Sequence, residues 1–160
     1  MDENEYRDAY HDFNQQRCLF EKSILSRKTM CQYAHRFCLA DREGVGCKEK
    51  SAFALCTDLL TQLRNNARFS LKQTNVDEPL PHAKEIKIQT GGLLGLKSIL
   101  EGQNLSDEQH EQDQLIKNIF ELVQQAISKY GGLDTLPYDE VARKIVQFKG
   151  RTRSRSNKES

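Results

Sequence analysis

The distribution of cysteine constrains this chain more than any other feature. All five cysteines lie within 39 consecutive residues of the 160, as Cys18, Cys31, Cys38, Cys47 and Cys56. Such clustering suggests a shared role. In a reducing compartment clustered thiols act more often as metal ligands or reactive groups than as disulfides, and an odd number cannot pair completely within one chain. The sequence therefore predicts a metal or iron–sulfur site in the N-terminal half.

Length and composition suit a small helical protein. A chain of 160 residues is most simply one domain, with 37% hydrophobic and 29% charged residues, no Trp and only three Pro. No apolar run is long enough to span a bilayer, and residues 1–12 are acidic where a signal peptide would be basic and then apolar. We therefore expect a cytoplasmic protein that does not insert into a membrane.

The spacing of apolar residues predicts an all-α fold, a small irregular domain of about five to six helices. The expected helices cover residues 3–26, 28–40, 51–72, 86–100 with an interruption at Gly91 and Gly92, and 107–130 after a capping box at Ser106, with a last one from Pro137. The segment 73–84 contains two prolines and indicates a linker. The predicted domain thus has a cysteine-bearing half at 1–72, a second half at 82–149 and a disordered tail at 150–160.

The predicted elements place the candidate ligands. In the expected helix over residues 28–40, Cys31, His35 and Cys38 are spaced to share one face. For His35 alone, an ordinary structural role is the favoured interpretation. Cys47 follows two glycines on an expected loop at 41–47. A cysteine on such a loop is poorly suited to the core, so Cys47 is the preferred ligand.

The two remaining cysteines lie on expected helices. Cys18 falls away from the apolar stripe of the first helix, so a role as a plain core residue is less favoured for it. Cys56 lies within the apolar face of the helix at 51–72, where a core position and a ligand position are both open.

The spacing of the cysteines bears on the cofactor. Many zinc modules contain a C-x2-4-C pair, which this chain lacks. Widely spaced ligands from separate segments suit a cubane, which offers four separated corners. We therefore predict a [4Fe–4S] cluster ahead of structural zinc. The preferred ligands are Cys18, Cys31, Cys47 and Cys56, with Cys38 or His35 as a spare or substitute.

One stretch also resembles known proteins. Residues 31–47, CQYAHRFCLADREGVGC, and the helix end at 63–71, LRNNARFSL, are similar to a group of small bacterial proteins with a comparable cysteine core. The resemblance covers mainly residues 18–71. It implies a common cysteine-bearing helical core and carries no activity.

The C-terminal tail is strongly basic. Residues 143–160 contain seven basic side chains against one acidic, and Arg151, Arg153 and Arg155 alternate with small polar residues. Such a tail can bind nucleic acid or another anionic partner in a salt-sensitive way, or it can only aid solubility. No aromatic residues are interleaved there to stack on bases.

Three functional classes follow. The first is a metal-binding helical protein, with an iron–sulfur cluster, that acts as a redox-linked binding or regulatory module and has a protein partner. The second is a zinc-stabilised structural adaptor for protein or nucleic-acid partners. The third is a thiol-dependent enzyme, with a cysteine as nucleophile and His35 or another histidine as base. The chain has no recognisable catalytic signature and no HExxH, so the sequence favours a protein that is not an enzyme.

Overall fold

A computed structural model describes residues 2–71, 81–102 and 116–148. Within these ranges there are six α-helices and one two-stranded sheet. The helices are α1 (Glu3–Phe13), α2 (Glu21–Leu25), α3 (Lys50–Ser70), α4 (His82–Glu101), α5 (Ile119–Tyr130) and α6 (Tyr138–Gln147). The strands are β1 (Ala34–Leu39) and β2 (Arg42–Cys47), and a short 3-10 helix covers Leu133–Thr135. The prediction of a mostly helical protein is confirmed, whereas the all-α class is wrong because of the sheet.

A β-hairpin replaces the helix that was predicted over residues 28–40. Strand β1 pairs antiparallel with β2, and Ala34 lies opposite Cys47. Between the strands, Ala40 and Asp41 have φ angles of 52° and 69°. Positive φ at both central residues is the requirement of a type I′ turn, whose twist matches that of the two strands. The chain therefore reverses direction where a helix would have continued.

Strand β2 occupies the segment that was expected to be a loop. Neither of its two glycines has a positive φ, so neither is needed for a left-handed backbone conformation. Both instead allow close packing. A Cβ at Gly44 would lie 2.5 Å from Phe37 Cζ, and a Cβ at Gly46 would lie 2.5 Å from Asn14 Oδ1. The missing side chains thus let a ring and an amide lie directly against the strand.

The single helix predicted over residues 3–26 is interrupted between α1 and α2. There the Asn14 side-chain amide donates to the Val45 carbonyl at 3.0 Å. The Cys47 backbone amide donates to the Gln16 carbonyl at 2.8 Å. Because these partners lie on β2, the connecting segment runs extended beside the strand, and the prediction of one helix is wrong.

Helices α3, α4 and α6 form the centre of the core. In α4 a Cβ at Gly91 would lie 2.9 Å from Ile145 Cα, and one at Gly92 would lie 2.8 Å from Leu63 Cδ1. These glycines therefore allow close helix packing, and α4 runs through them without a break. The fully buried large side chains are Phe20, Ile24, Val45, Leu59, Leu60, Leu63, Ile88, Leu93, Leu96, Ile119, Val123 and Ile145.

A short backbone contact joins the segment before β1 to the segment before α5. Thr29 and Ile116 form a parallel bridge. The Met30 amide donates to the Ile116 carbonyl at 2.9 Å, and the Ile119 amide donates to the Met30 carbonyl at 2.8 Å. The cysteine-bearing half is therefore tied to the C-terminal half immediately before Cys31.

Three predicted features lie outside the described residues. They are most of the linker, at 73–80, the capping box at Ser106, and the basic tail with Arg151, Arg153 and Arg155, so an anionic partner for the tail stays a prediction. Within the part of the chain that the structure describes, no helix has the length and apolar character needed to cross a membrane.

Candidate metal centre

Four of the five cysteines border one small cavity. They are Cys18, Cys31, Cys47 and Cys56, the four that were preferred as ligands from the sequence. Cys18 lies before α2, Cys31 before β1, Cys47 at the end of β2 and Cys56 within α3. Four separate segments thus supply one thiol each to a shared space.

Main-chain hydrogen bonds hold two of these segments together. The Cys18 amide donates to the Val45 carbonyl at 3.0 Å, and the Cys47 amide donates to the Gln16 carbonyl at 2.8 Å. The Gln16 side chain also donates a hydrogen bond of 2.7 Å from Nε2 to the Cys47 carbonyl. The loop that carries Cys18 is therefore paired with the strand that carries Cys47.

The four thiols influence one another electrostatically. Burial raises the pKa of Cys18 to about 12, and the charges of Cys31 and Cys47 act in the same direction, while a hydrogen bond from the Phe20 backbone lowers it. Burial and the charges of the other three raise the pKa of Cys56. Burial and the charge of Cys31 also raise the pKa of Cys47. Because burial and the neighbouring thiols raise the pKa values of Cys18, Cys47 and Cys56, a nearby cation would favour their thiolate forms.

The walls of the cavity are apolar and rich in aromatic rings. Apart from the cysteines, they include Leu19, Phe20, Tyr33, Ala34, Ala52, Phe53, Ile119 and Phe120. The Tyr33 and Phe120 rings meet edge to face with their centroids 5.0 Å apart. Such walls limit the access of water, which strengthens electrostatic interactions inside and influences the potential of a bound redox centre.

The space between the thiols is small. The cavity has a volume of about 20 Å³, close to the space that one water molecule needs. Among the described residues, no group of three or more His, Cys, Asp or Glu side chains is already arranged to hold a metal ion. A bound group larger than one ion therefore requires the cysteine side chains to spread.

The two residues named as substitutes lie elsewhere. Cys38 and His35 are exposed on β1 and do not border the cavity. The His35 ring stacks on Phe37 with the centroids 5.9 Å apart. The predicted alignment of Cys31, His35 and Cys38 along one helix face is wrong, because β1 replaces the helix that would have aligned them.

Sequence reasoning missed a buried carboxylate near the cysteines. Glu21 is 5% exposed and accepts hydrogen bonds from the Tyr10 hydroxyl, from Arg17 Nε at 2.7 Å and from the Val45 amide at 2.8 Å. The Asn14 amide donates to the Tyr10 hydroxyl at 3.0 Å. Glu21 lay within an expected amphipathic helix, so nothing in the spacing of the sequence indicated its burial.

Comparison with protein-family models, with curated proteins and with solved structures finds no match. The resemblance of residues 18–71 to small bacterial proteins with a cysteine core stays a prediction. The geometry of the cavity is therefore the basis on which function is argued.

Proposed function

We propose that this chain is an iron–sulfur protein in which Cys18, Cys31, Cys47 and Cys56 each bind one iron of a [4Fe–4S] cluster. In this proposal it acts as a redox-linked binding or regulatory module. The observation that carries the proposal is that these four thiols border one cavity and interact pairwise, whereas Cys38 does not. A cluster of this kind takes one cysteine thiolate at each iron and supplies one-electron transfer when bound.

The surroundings of the thiols suit that role. The Phe20 backbone hydrogen bond to Cys18 stabilises negative charge on the sulfur, and hydrogen bonds to sulfur are among the features that set cluster potentials. Only Cys56 lies within a helix, while Cys18 and Cys31 lie in irregular segments and Cys47 ends a strand. Because main-chain hydrogen bonds fix the backbone at Cys18 and Cys47, a cluster would be accommodated by rotation of the cysteine side chains.

A zinc-stabilised structural adaptor is the second candidate. The volume of about 20 Å³ favours a single ion, because a tetrahedral zinc site with four cysteine ligands places all four sulfur atoms at about 2.3 Å from one centre. In that case the metal would contribute to folding rather than to electron transfer.

The thiol-dependent enzyme has less support. A nucleophilic cysteine is normally activated by a lowered pKa, whereas burial raises the pKa of Cys18, Cys47 and Cys56. The exposed cysteine, Cys38, does not border the cavity.

Anaerobic purification, visible absorption and analysis of iron, sulfide and zinc on one sample test the proposal. We expect a brown protein with about four irons and four sulfides per chain, directly or after reconstitution. Zinc without sulfide would favour the adaptor. The absence of both metals after anaerobic reconstitution with iron and sulfide, and with zinc, would reject the metal centre altogether.

The fifth cysteine provides a matched control for the ligand assignment. Replacement of Cys18, Cys31, Cys47 or Cys56 by Ser is expected to lower the iron and sulfide content and the visible absorption. Cys38→Ser should leave both unchanged, because Cys38 is exposed and away from the cavity. Loss of the cluster in Cys38→Ser, with retention in one of the other four, would show that the ligand set is different.

A further inference from the structure

A larger cleft lies between α1, α2, the β-hairpin and the start of α4. Its volume is about 650 Å³, within the range of small-molecule sites in proteins. None of the five cysteines lines it. An inference about this cleft is therefore independent of the metal centre.

Charged side chains dominate the lining. Four are always cationic: Arg7, Arg17, Lys22 and Arg42. Three are carboxylates: Glu3, Glu21 and Glu43. Two histidines, His11 and His82, also line the cleft. The pairing of these groups decides which charges are available to a ligand.

Arginines neutralise the first two carboxylates. Glu3 lies 3.2 Å from Arg42 and 3.6 Å from Arg7, so one carboxylate is shared by two guanidinium groups. Glu21 lies 2.7 Å from Arg17. These five groups together leave one positive charge uncompensated.

The third carboxylate is neutralised from outside the cleft. Glu43 lies 3.5 Å from Arg36 and 3.6 Å from Arg27, and neither arginine is part of the lining. The negative charge of Glu43 therefore does not cancel a cation within the cleft.

Lys22 adds a second positive charge. Among the described residues no carboxylate lies within ion-pair distance of its ammonium group. Its Nζ lies 3.0 Å from His82 Nδ1, a contact that leaves two of its three donors for a ligand. Leu25 and Ile86 line the cleft on the same two helices as this pair. A positive charge thus stands next to an apolar wall.

We propose that this cleft binds a small organic phosphate monoester. Its uncompensated charge of two matches the dianionic phosphate, which Lys22 and the guanidinium groups of Arg7 and Arg42 would contact by charge-assisted hydrogen bonds. The carbon skeleton would rest on Leu25 and Ile86. The volume leaves room for a sugar phosphate or a mononucleotide.

Calorimetric titration with ribose 5-phosphate, ribose and succinate tests the ligand class on the purified full-length protein. We expect ribose 5-phosphate to bind, ribose not to bind, and the dicarboxylate to bind at least about tenfold more weakly, because it has fewer acceptor oxygens at each charged end. Equal or tighter binding of succinate, or no binding of ribose 5-phosphate at millimolar concentration, would overturn the proposal.

A lysine pair tests the place of binding. Lys22→Gln is expected to raise the dissociation constant for ribose 5-phosphate by about tenfold, which corresponds to the loss of one charge-assisted contact. Lys117→Gln removes the same charge from an exposed residue outside the cleft and should leave the constant unchanged. Circular dichroism establishes that both variants fold.

Amide chemical shifts provide the independent readout. Addition of ribose 5-phosphate should move the amide signals of Tyr6, Lys22 and Arg42 and leave that of Lys117 in place. An unchanged dissociation constant in Lys22→Gln, or shifts confined to residues outside the cleft, would show that the cleft is not the site.

Discussion

The backbone amide of Cys18 donates a hydrogen bond of 3.0 Å to the carbonyl of Val45. Two residues along β2, the Cys47 amide donates to the Gln16 carbonyl. Two of the four clustered thiols are therefore held side by side by main-chain bonds that need no metal. Replacement of either thiol removes a sulfur and leaves the partner segment where it was, which makes single-cysteine variants informative.

The buried Glu21 carboxylate should depend on the Tyr10 hydroxyl. Tyr10→Phe removes one donor to this nearly fully buried charge and is expected to lower the free energy of unfolding by about 2 kcal/mol. Urea unfolding followed by circular dichroism measures the change. Tyr6→Phe is the control on the same helix, and its half-exposed ring should give less than about 0.5 kcal/mol. Equal effects in both variants would mean that the bond to Glu21 contributes nothing.

Gly91 should tolerate a methyl group less well than Gly92. A Cβ at Gly91 would meet Ile145 Cα at 2.9 Å, so the backbone of α6 has to move, whereas a Cβ at Gly92 meets the tip of the Leu63 side chain. Overpacking costs about 1–3 kcal/mol, and alanine regains up to about 1 kcal/mol of helix propensity.

We therefore expect Gly91→Ala to lower the thermal unfolding midpoint and Gly92→Ala to lower it less. Differential scanning calorimetry of the two variants and the wild type gives the order. A Gly91→Ala protein as stable as the wild type would show that α4 and α6 are less closely packed than the structure indicates.

The hairpin turn should be open to stabilisation. Asp41 adopts a φ of 69°, which costs most residues other than glycine about 1 kcal/mol or more. Asp41→Gly is expected to raise the free energy of unfolding by several tenths of a kcal/mol to about 1 kcal/mol. Asp41→Ala should lower it, because alanine lacks the local hydrogen bonding that lets aspartate adopt this conformation. A gain from Asp41→Ala would contradict the type I′ turn.

The Tyr138 hydroxyl should make stability fall at alkaline pH. Burial, followed by the charge of Asp134, raises the pKa of Tyr138 to about 12 from an ordinary value of 10.0, and the hydroxyl donates to the Leu133 carbonyl at 2.7 Å. Between these two pH values the unfolded chain releases the proton and the folded protein keeps it. The contribution of Tyr138 is therefore complete below pH 10 and decreases as the pH rises towards 12.

Urea unfolding of the wild type and of Tyr138→Phe from pH 8 to 11 measures this dependence. The wild type should be the more stable at pH 8, because it has the hydrogen bond. Its advantage should shrink above pH 10. A difference in free energy of unfolding that stays constant over the whole range would disprove the linkage.

The helices with long apolar faces could be predicted from the sequence alone. Leu59, Leu60 and Leu63 repeat at helical spacing in α3, and burial of that face is what the core requires. The end of α5 could also be predicted, because a glycine commonly ends a helix and Gly131 adopts the left-handed conformation there, with a φ of 89°. In both places local spacing and tertiary packing favour the same structure.

The hairpin could not be predicted in this way. Its turn is formed by Ala40 and Asp41, which lack the Asn-Gly pair that normally marks a type I′ turn. The strand conformation depends on distant contacts, such as the edge-to-face packing of Phe37 on Phe13 with centroids 4.7 Å apart. Residues 28–40 carry a spacing that also fits a helix, and only the remote partners decide between the two.

Cys31 borders the cavity for a reason that the sequence pattern does not contain. The spacing of Cys31, His35 and Cys38 predicts a shared helix face, whereas β1 occupies that segment. Cys31 reaches the cavity because Ala34, three residues on, pairs with Cys47. Spacing of cysteines along a sequence can therefore suggest a shared site, while their proximity follows from strand pairing that the spacing does not reveal.

The wall of the cysteine cavity is completed late during synthesis. Ile119 and Phe120 line it, yet more than 60 residues separate them from Cys56. At about 5–20 residues per second, the ribosome adds the last of the four cysteines roughly 3–12 seconds before it adds these two residues. During that interval the thiols lack the wall that later covers them, so a metal centre of the proposed kind would meet unshielded ligands before that wall exists and shielded ligands afterwards.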